Sequence, residues 1–361
     1  YGYFIKEVFS LLAKAHPQHQ FYFLFDRPYD LDFIFSENCI PVVVGPPARH
    51  PLLWKWWYDV KVPLVLKKIK ADVFVSPDGF CSLTTRVPQC LVVHDLGFLH
   101  YAEGYKKSHL LFYKRYTPLF LKKAASIATV SQTSKNDIIN TYKISAEKIE
   151  VVYSAVKEGF GPLTFEQQQA VKEKYTEGKE YFIYIGAIHP RKNLINLLKA
   201  YSLFKKRQRS TMKLVLAGRM AWKNDAFLQL LQTYKYRHDV VLLNYVDETE
   251  LALLAGSAYA LVYPSLFEGF GVPVLEAIKC GVPPLTSAGT AMEEIAGEAA
   301  LYFNPADTVD IADKLMLIYK DETLRKNLIE KGKAVSNQFS WDKTAALLWK
   351  SILKAAATEK D

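Results

Sequence analysis

The densest set of residues able to do chemistry is Tyr263 to Glu276, Y-P-S-L-F-E-G-F-G-V-P-V-L-E. A buried strand runs into Pro264, a loop holding Ser265, Glu268, Gly269, Phe270 and Gly271 follows, and Val272-Pro273 stands at a helix start, where proline's missing N–H costs nothing. Such a helix terminus presents unpaired N–H groups and about half a positive charge, which favours a phosphate by ~0.3 to 1 kcal/mol per charge. The glycines let backbone approach a ligand closely. Glu268 in the loop and Glu276 about one turn into the helix can both face the crevice beyond the strand ends, where open parallel sheets bind ligands. A carboxylate only accepts hydrogen bonds, and paired sugar or ribose hydroxyls supply donors at suitable spacing, so two glutamates beside an anion site suit a nucleotide sugar better than bare phosphate. The alternative is that Glu276 complements the helix dipole and Glu268 is a solvated loop charge.

A second segment, Gly186 to Asn193, G-A-I-H-P-R-K-N, also lies between a strand and a helix, with Asn193 as the expected N-cap. Arg191 and Lys192 then stand at a helix terminus at the same end of the sheet as the first. Together they would neutralise a departing diphosphate by preorganised electrostatics; otherwise they are surface charges. In the first half, Val92 to His100 reads V-V-H-D-L-G-F-L-H, and His94 ends a buried strand, placed to hydrogen-bond a hydroxyl or shuttle a proton, unless it is structural.

Positioning these residues requires two α/β halves. Strand-like runs at 181–185, 213–217, 240–243, 259–263, 283–286 and 300–303 alternate with helical spacing such as Leu194, Leu197, Leu198 and Tyr201. The pattern implies parallel strands with crossover helices. Residues 1–160 repeat it, with strands near 20–25, 41–44, 73–76, 90–93, 126–130 and 149–152 and a helix capped by Ser131. The chain opens on a helical pattern without the strand that should begin such a domain. The Gly- and Gln-containing stretch 161–180 reads as a linker, 181–338 as the second domain, and 339–361 as a helix capped by Ser340 that can cross back to the first.

Composition bounds the class. Half of the 361 residues are apolar and aromatics reach 14%, which excludes a disordered chain. The formal charge of +9 points to an anionic partner, and the excess leans toward the first half. Cys39, Cys81, Cys90 and Cys280 are far apart, arguing against a zinc knuckle or disulfide framework and for reduced, buried thiols. No apolar run spans a bilayer and the opening residues carry no signal pattern, so a cytoplasmic location is expected. Trp54 to Lys70 and Tyr105 to Lys123 mix aromatics with lysines, which suits a peripheral position on an anionic membrane surface or, at least equally, ordinary amphipathic helices with core aromatics and solvated lysines.

Taken with H-D-L-G-F-L-H-Y, T-V-S-Q-T-S-K-N-D-I, K-I-E-V-V-Y-S-A-V, L-V-L-A-G-R and the closing F-S-W, these segments resemble glycosyltransferase family 4 along nearly the whole chain. The resemblance implies a GT-B fold, two Rossmann-like doubly wound parallel-sheet domains facing a central cleft, and retaining transfer from a nucleoside diphosphate sugar. It implies that Glu268 approaches the donor sugar, Glu276 holds ribose hydroxyls, the Phe270 and Gly271 amides lie near sugar and phosphates, Lys192 binds phosphate and His94 serves the donor side. No metal and no cofactor are expected. Two departures stand out. Ala187 follows Gly186 where many members carry arginine, leaving Arg191 or Arg219 to supply the second cation. Ser154-Ala155 replaces the frequent Asn-Gly.

Donor base readout falls to backbone near Asn244, Tyr245 and Val246. GDP-mannose is the first donor expected from the resemblance and UDP-hexoses the next, with a glycan or lipid-linked acceptor and no nucleic acid. The competing readings are a GT-B nucleotide-sugar epimerase and a non-catalytic nucleotide-sugar-binding protein.

Overall fold

The structure, a computed structural model, describes residues 2–221 and 224–358. The chain forms two compact units: one runs to Ser154 and resumes at Ser340, the other is Ala155–Phe339.

The first unit holds β1 (Phe21–Phe25), β2 (Cys39–Val43), β3 (Phe74–Ser76), β4 (Gln89–Val93), β5 (Ser126–Thr129) and β6 (Ile149–Val151). Every pairing is parallel. They pair in the orders β1-β2 and β3-β4-β5-β6. A cavity of about 1060 Å³ is lined by residues of both β1 and β3, with Phe9, Trp57, Tyr58 and Trp349 among its walls. β4 is buried throughout, the signature of a parallel strand covered on both faces. Its cover on one side is the last helix, Trp341–Ala356, which lies across β4, β5 and β6. Ser340 caps that helix by accepting from the Lys343 N–H, and Ser126 Oγ donates to the Ser351 carbonyl at 2.7 Å. Ser131 likewise caps Gln132–Tyr142 by accepting from the Ser134 N–H, a contact worth ~1 kcal/mol. All four cysteines are free and buried.

The second unit holds β7 (Tyr181–Ile185), β8 (Lys213–Ala217), β9 (Val240–Leu243), β10 (Ala260–Tyr263), β11 (Pro284–Ser287) and β12 (Leu301–Phe303). They form one parallel sheet in the order β12-β11-β10-β7-β8-β9. Tyr181 to Tyr184 are wholly inaccessible. Helices Leu194–Gln208 and Thr308–Lys320 pack together beside it. Residues 161–180 are not a simple linker: Phe165–Thr176 is a helix. Thr164 opens it with a capping box, its hydroxyl accepting from the Gln167 N–H while the Gln167 side chain accepts from the Thr164 N–H. Its buried residues are Val171, Lys172 and Thr176, so apolar periodicity had little to report. Among the described residues no helix is long and apolar enough to cross a membrane, and no group of three His, Cys, Asp or Glu could hold a metal ion.

Candidate functional site

In the second unit β7 comes first in the chain and lies inside the sheet. β8 follows on one side and β10 on the other, so the direction of winding reverses between β7 and β10. A crevice at the carboxyl ends of two such strands is where open α/β sheets take ligands. At this end β7 runs into Gly186 and β8 into Gly218. The Gly186 N–H donates to the Ala217 carbonyl at 2.9 Å. A Cβ on Gly218 would sit 1.9 Å from the Gly186 carbonyl oxygen, so only glycine lets the two strand ends come this close.

The turn Pro190–Lys192 follows, started by His189, whose Nδ1 accepts from the Arg191 N–H at 3.2 Å. Asn193 was expected to cap Leu194–Gln208 with its side chain, but that side chain makes no capping bond and its Nδ2 donates to the Pro305 carbonyl at 2.7 Å. Its backbone is left-handed, φ 60°, a conformation asparagine tolerates better than most residues. Arg191 and Lys192 therefore sit in a tight turn just ahead of the helix, and the Leu266 N–H donates to the Arg191 carbonyl at 2.9 Å, lashing this turn to the loop after β10.

The side chains converge there. Lys192 Nζ donates to the Tyr263 hydroxyl at 2.7 Å, lies 5.0 Å from the centre of that ring and forms an ion pair with Glu268. Ser265, wholly buried, donates its hydroxyl to Glu268 Oε1 at 2.5 Å. Arg191 Nη1 donates to the Phe267 carbonyl at 2.6 Å and stands 3.7 Å from Glu268 Oε2. Burial by itself pushes the Glu268 carboxyl up, yet Lys192, Arg191 and the hydrogen bonds from Lys192 and Ser265 outweigh it and hold the group below the ordinary carboxylate value. Glu268 is therefore not a solvated loop charge. The two cations share it as counter-ion, so the cluster carries net +1 rather than +2.

Tyr263 and Tyr184 were not singled out from sequence. Their rings stack at 5.6 Å, Tyr184 donates to the Ala187 carbonyl at 2.9 Å, and Tyr263 bridges Lys192 to the core of the sheet. Each is the only aromatic residue among the last two of its buried strand, and that recurrence at neighbouring carboxyl ends was the available signal.

Gly271 begins the helix Val272–Lys279 with φ 101°, and a Cβ there would meet Met292 Cγ at 2.6 Å. Gly269, Phe270 and Gly271 are buried and Val272 is half-buried; the Phe270 ring lies edge-on to Phe339 at 5.9 Å. Glu276 is also buried, and burial pushes its carboxyl up to about 7, with nearby Lys157 opposing and Glu248 adding to the rise. A carboxyl desolvated to this extent is more than a surface complement to the helix dipole.

The remaining predicted residues are less concentrated. Arg219 is exposed at the end of β8, and its carbonyl accepts from the Ile188 N–H at 3.0 Å. Tyr245 and Val246 follow β9, two strands from β7 at the same end of the sheet; the Tyr245 side chain is exposed. In the first unit His94 follows β4. Its Nε2 lies 3.1 Å from the Pro77 carbonyl, which can only accept, so Nε2 carries the proton. The ring stands edge-on to Phe4 at 5.2 Å, and burial pushes its pKa down to about 3. Burial thus favours the uncharged, hydrogen-bonding form of His94.

Two α/β units of parallel strands, with Arg191 and Lys192 held ahead of a helix at the switch point of the second, have the architecture expected of a GT-B glycosyltransferase. The family profile "Glycosyl transferases group 1" matches residues 164–335 and "Glycosyltransferase Family 4" matches residues 8–159. The chain is 32% identical to O-antigen chain mannosyltransferase B of Escherichia coli over 81% of this chain and 78% of that protein. It is 28% identical to O-antigen chain mannosyltransferase RfbU of Salmonella typhimurium over 76% and 73% of the two chains. Among solved structures, Anabaena HepE in complex with UDP and glucose superposes with a TM-score of 0.75 at 14% identity, covering 97% of this chain and 95% of that one. The chain belongs to glycosyltransferase family 4.

Proposed function

We propose that this glycosyltransferase moves a mannosyl group from GDP-mannose to a hydroxyl of a glycan or lipid-linked acceptor in polysaccharide assembly. In this reading transfer retains the anomeric configuration and needs neither metal nor cofactor, and the protein works on the cytoplasmic side at an anionic membrane surface. The observation that carries the reading is Lys192, fixed between Tyr263 and Glu268 at the switch point and followed by two helix starts. The names of the mannosyltransferase relatives support the choice of sugar.

The chemistry follows from the charges. As the bond from the anomeric carbon to the diphosphate oxygen breaks, its electron pair moves to that oxygen. Lys192 and the N–H groups opening Val272–Lys279 are preorganised to meet the growing charge. Glu268 is ionised and engaged with two cations, which makes it a poor nucleophile. We therefore assign same-face attack, in which the acceptor oxygen bonds to the anomeric carbon and its proton passes to the departing phosphate oxygen. Glu276 accepts from ribose hydroxyls, the Phe270 and Gly271 amides donate to sugar and phosphate, and neutral His94 hydrogen-bonds a sugar hydroxyl. Backbone near Tyr245 and Val246 reads the base, while Gly186, Arg191 and Arg219 shape and charge the phosphate end.

A panel of nucleotide sugars tested for thermal stabilisation of the full chain decides the donor. A ligand at ~100 times its dissociation constant adds about 2.7 kcal/mol. GDP-mannose should stabilise the chain most, and incubation with an acceptor glycan should release GDP and yield an α-linked product by NMR. An epimer formed from donor alone, or binding without GDP release, would overturn the reading.

A further inference from the structure

Glu276 is buried, and among the described residues no hydrogen bond or ion pair engages its carboxyl. A carboxylate in such a place is costly to ionise unless a nearby charge offsets the lost water. Neither cation of the Lys192 turn supplies that charge, because both are engaged with Glu268.

The charge comes from the segment 157–163. Lys157 forms an ion pair with Glu248, the first residue of helix Glu248–Gly256. Six residues on, Leu163 meets the other end of that helix: a Cβ on Gly256, its last residue, would stand 2.9 Å from the Leu163 side chain and 3.4 Å from the Gly161 carbonyl. The segment therefore runs the length of helix 248–256, which packs on Val272–Lys279. The backbone of Gly161 also meets the thiol of Cys280, whose N–H closes the last helical turn by donating to the Glu276 carbonyl at 3.1 Å. Lys157 and Glu248 thus stand toward the turn that carries Glu276, and they are the two charges that act on its carboxyl, in opposite senses.

The other elements packed against helix 272–279 bring no further charge to this point. Helix 291–296 meets it with Met292 at Gly271, helix 322–336 with Gly332 at Ile278, and β11 carries no ionisable side chain. The titratable groups beside it, Tyr263 at the end of β10 and Cys280, are both pushed up by burial, Cys280 to about 12, and stay uncharged near neutral pH. Burial pushes Glu276 itself up to about 7, with Lys157 opposing and Glu248 adding to the rise.

We propose that Lys157 is a positioning residue of the donor site: clamped by Glu248, it sets the charge with which Glu276 receives the ribose hydroxyls, and donor affinity follows that charge. A hydroxyl bonds more strongly to a carboxylate than to a neutral acid. The inference rests on the reading of Glu276 as the ribose acceptor, but the action of the pair on Glu276 is measured without a donor.

Carbon-13 NMR of the full chain labelled at its glutamate carboxyls, with the Glu276 signal identified by its loss in Glu276→Gln, follows the ionisation against pH. Lys157→Met should raise the midpoint by roughly half a pH unit or more and Glu248→Gln should lower it, while Lys157→Arg, which keeps the charge, should hold it near the wild-type value. Opposite shifts report charge, whereas a loosened fold would move both variants the same way. Midpoints that stay put, or that move together, overturn the proposal. Calorimetry with GDP-mannose, whose diphosphate diester does not titrate between pH 6 and 8, reads the consequence. Affinity should rise about fivefold across that range in the wild type, and at pH 7 Lys157→Met should bind about twofold more weakly. An affinity that ignores the shifts seen in the free chain overturns the proposal too. No binding of GDP-mannose at any pH strikes only the choice of donor, and the same series with UDP-glucose then decides.

Discussion

Glu276→Gln should make the free protein more stable while weakening its hold on a nucleotide sugar. The ordinary carboxyl value of 4.5 is raised to about 7 in the fold, chiefly by burial. At 1.36 kcal/mol per pKa unit, ionising Glu276 in the folded state costs about 3 kcal/mol. The sign follows from the direction. A carboxyl whose folded pKa lies above its unfolded value leaves stability intact below about pH 4.5, and that stability is lost as pH rises toward about 7. Between pH 5 and pH 8 the wild type should lose about 2.5 kcal/mol relative to Glu276→Gln, which has nothing to ionise. Urea unfolding of both proteins at the two pH values reads the difference. Calorimetric titration with GDP-mannose reads the other half: the amide keeps one acceptor oxygen but loses the charge, so affinity should fall about tenfold. A stability difference between the two proteins that does not change with pH would refute the buried-carboxyl argument, whatever the binding result.

Gly218→Ala should abolish folding of the second unit or cost about 4 kcal/mol or more, because its Cβ would overlap the Gly186 carbonyl; near-wild-type thermal unfolding would contradict it. Tyr263→Phe removes the hydroxyl that accepts from Lys192 and should lower kcat about tenfold with little change in KM, as expected if it positions Lys192. A change confined to KM would count against that role. Because burial pushes His94 down to about 3, an ionisation between pH 5 and 8 in the kcat/KM profile should survive His94→Gln even though the rate drops. Its disappearance in the variant would assign it to His94.

The twelve strands of the described residues each lie within two residues of their expected place, and most were legible because parallel strands buried on both faces are short continuous apolar runs. The loops after β7 and β10 were legible because Gly186, Gly271 and Pro273 mark sites where backbone conformation limits the choice of residue. What pairs with what was not. The Lys192–Tyr263 hydrogen bond joins residues 71 apart, and periodicity reports local faces rather than distant partners. Helix 165–176 was missed because Thr164 and Gln167 begin it with polar capping while Val171 is its only buried apolar residue. Which of the aromatics at 54–58 face outward stayed open because side-chain size does not say which way a helix is turned: Trp57 and Tyr58 are buried, while Trp56 is exposed together with Leu52 and Leu64.

The central claim is that the turn at Lys192 binds the diphosphate and makes it a good leaving group. Titrating the full chain with GDP, then following GDP release from GDP-mannose in the presence of acceptor, tests it in wild type and Lys192→Ala. The account predicts GDP affinity at least tenfold weaker in the variant and turnover lower by two orders of magnitude or more, about 2.7 kcal/mol of lost transition-state stabilisation. Equal GDP affinity with near-wild-type turnover would contradict it.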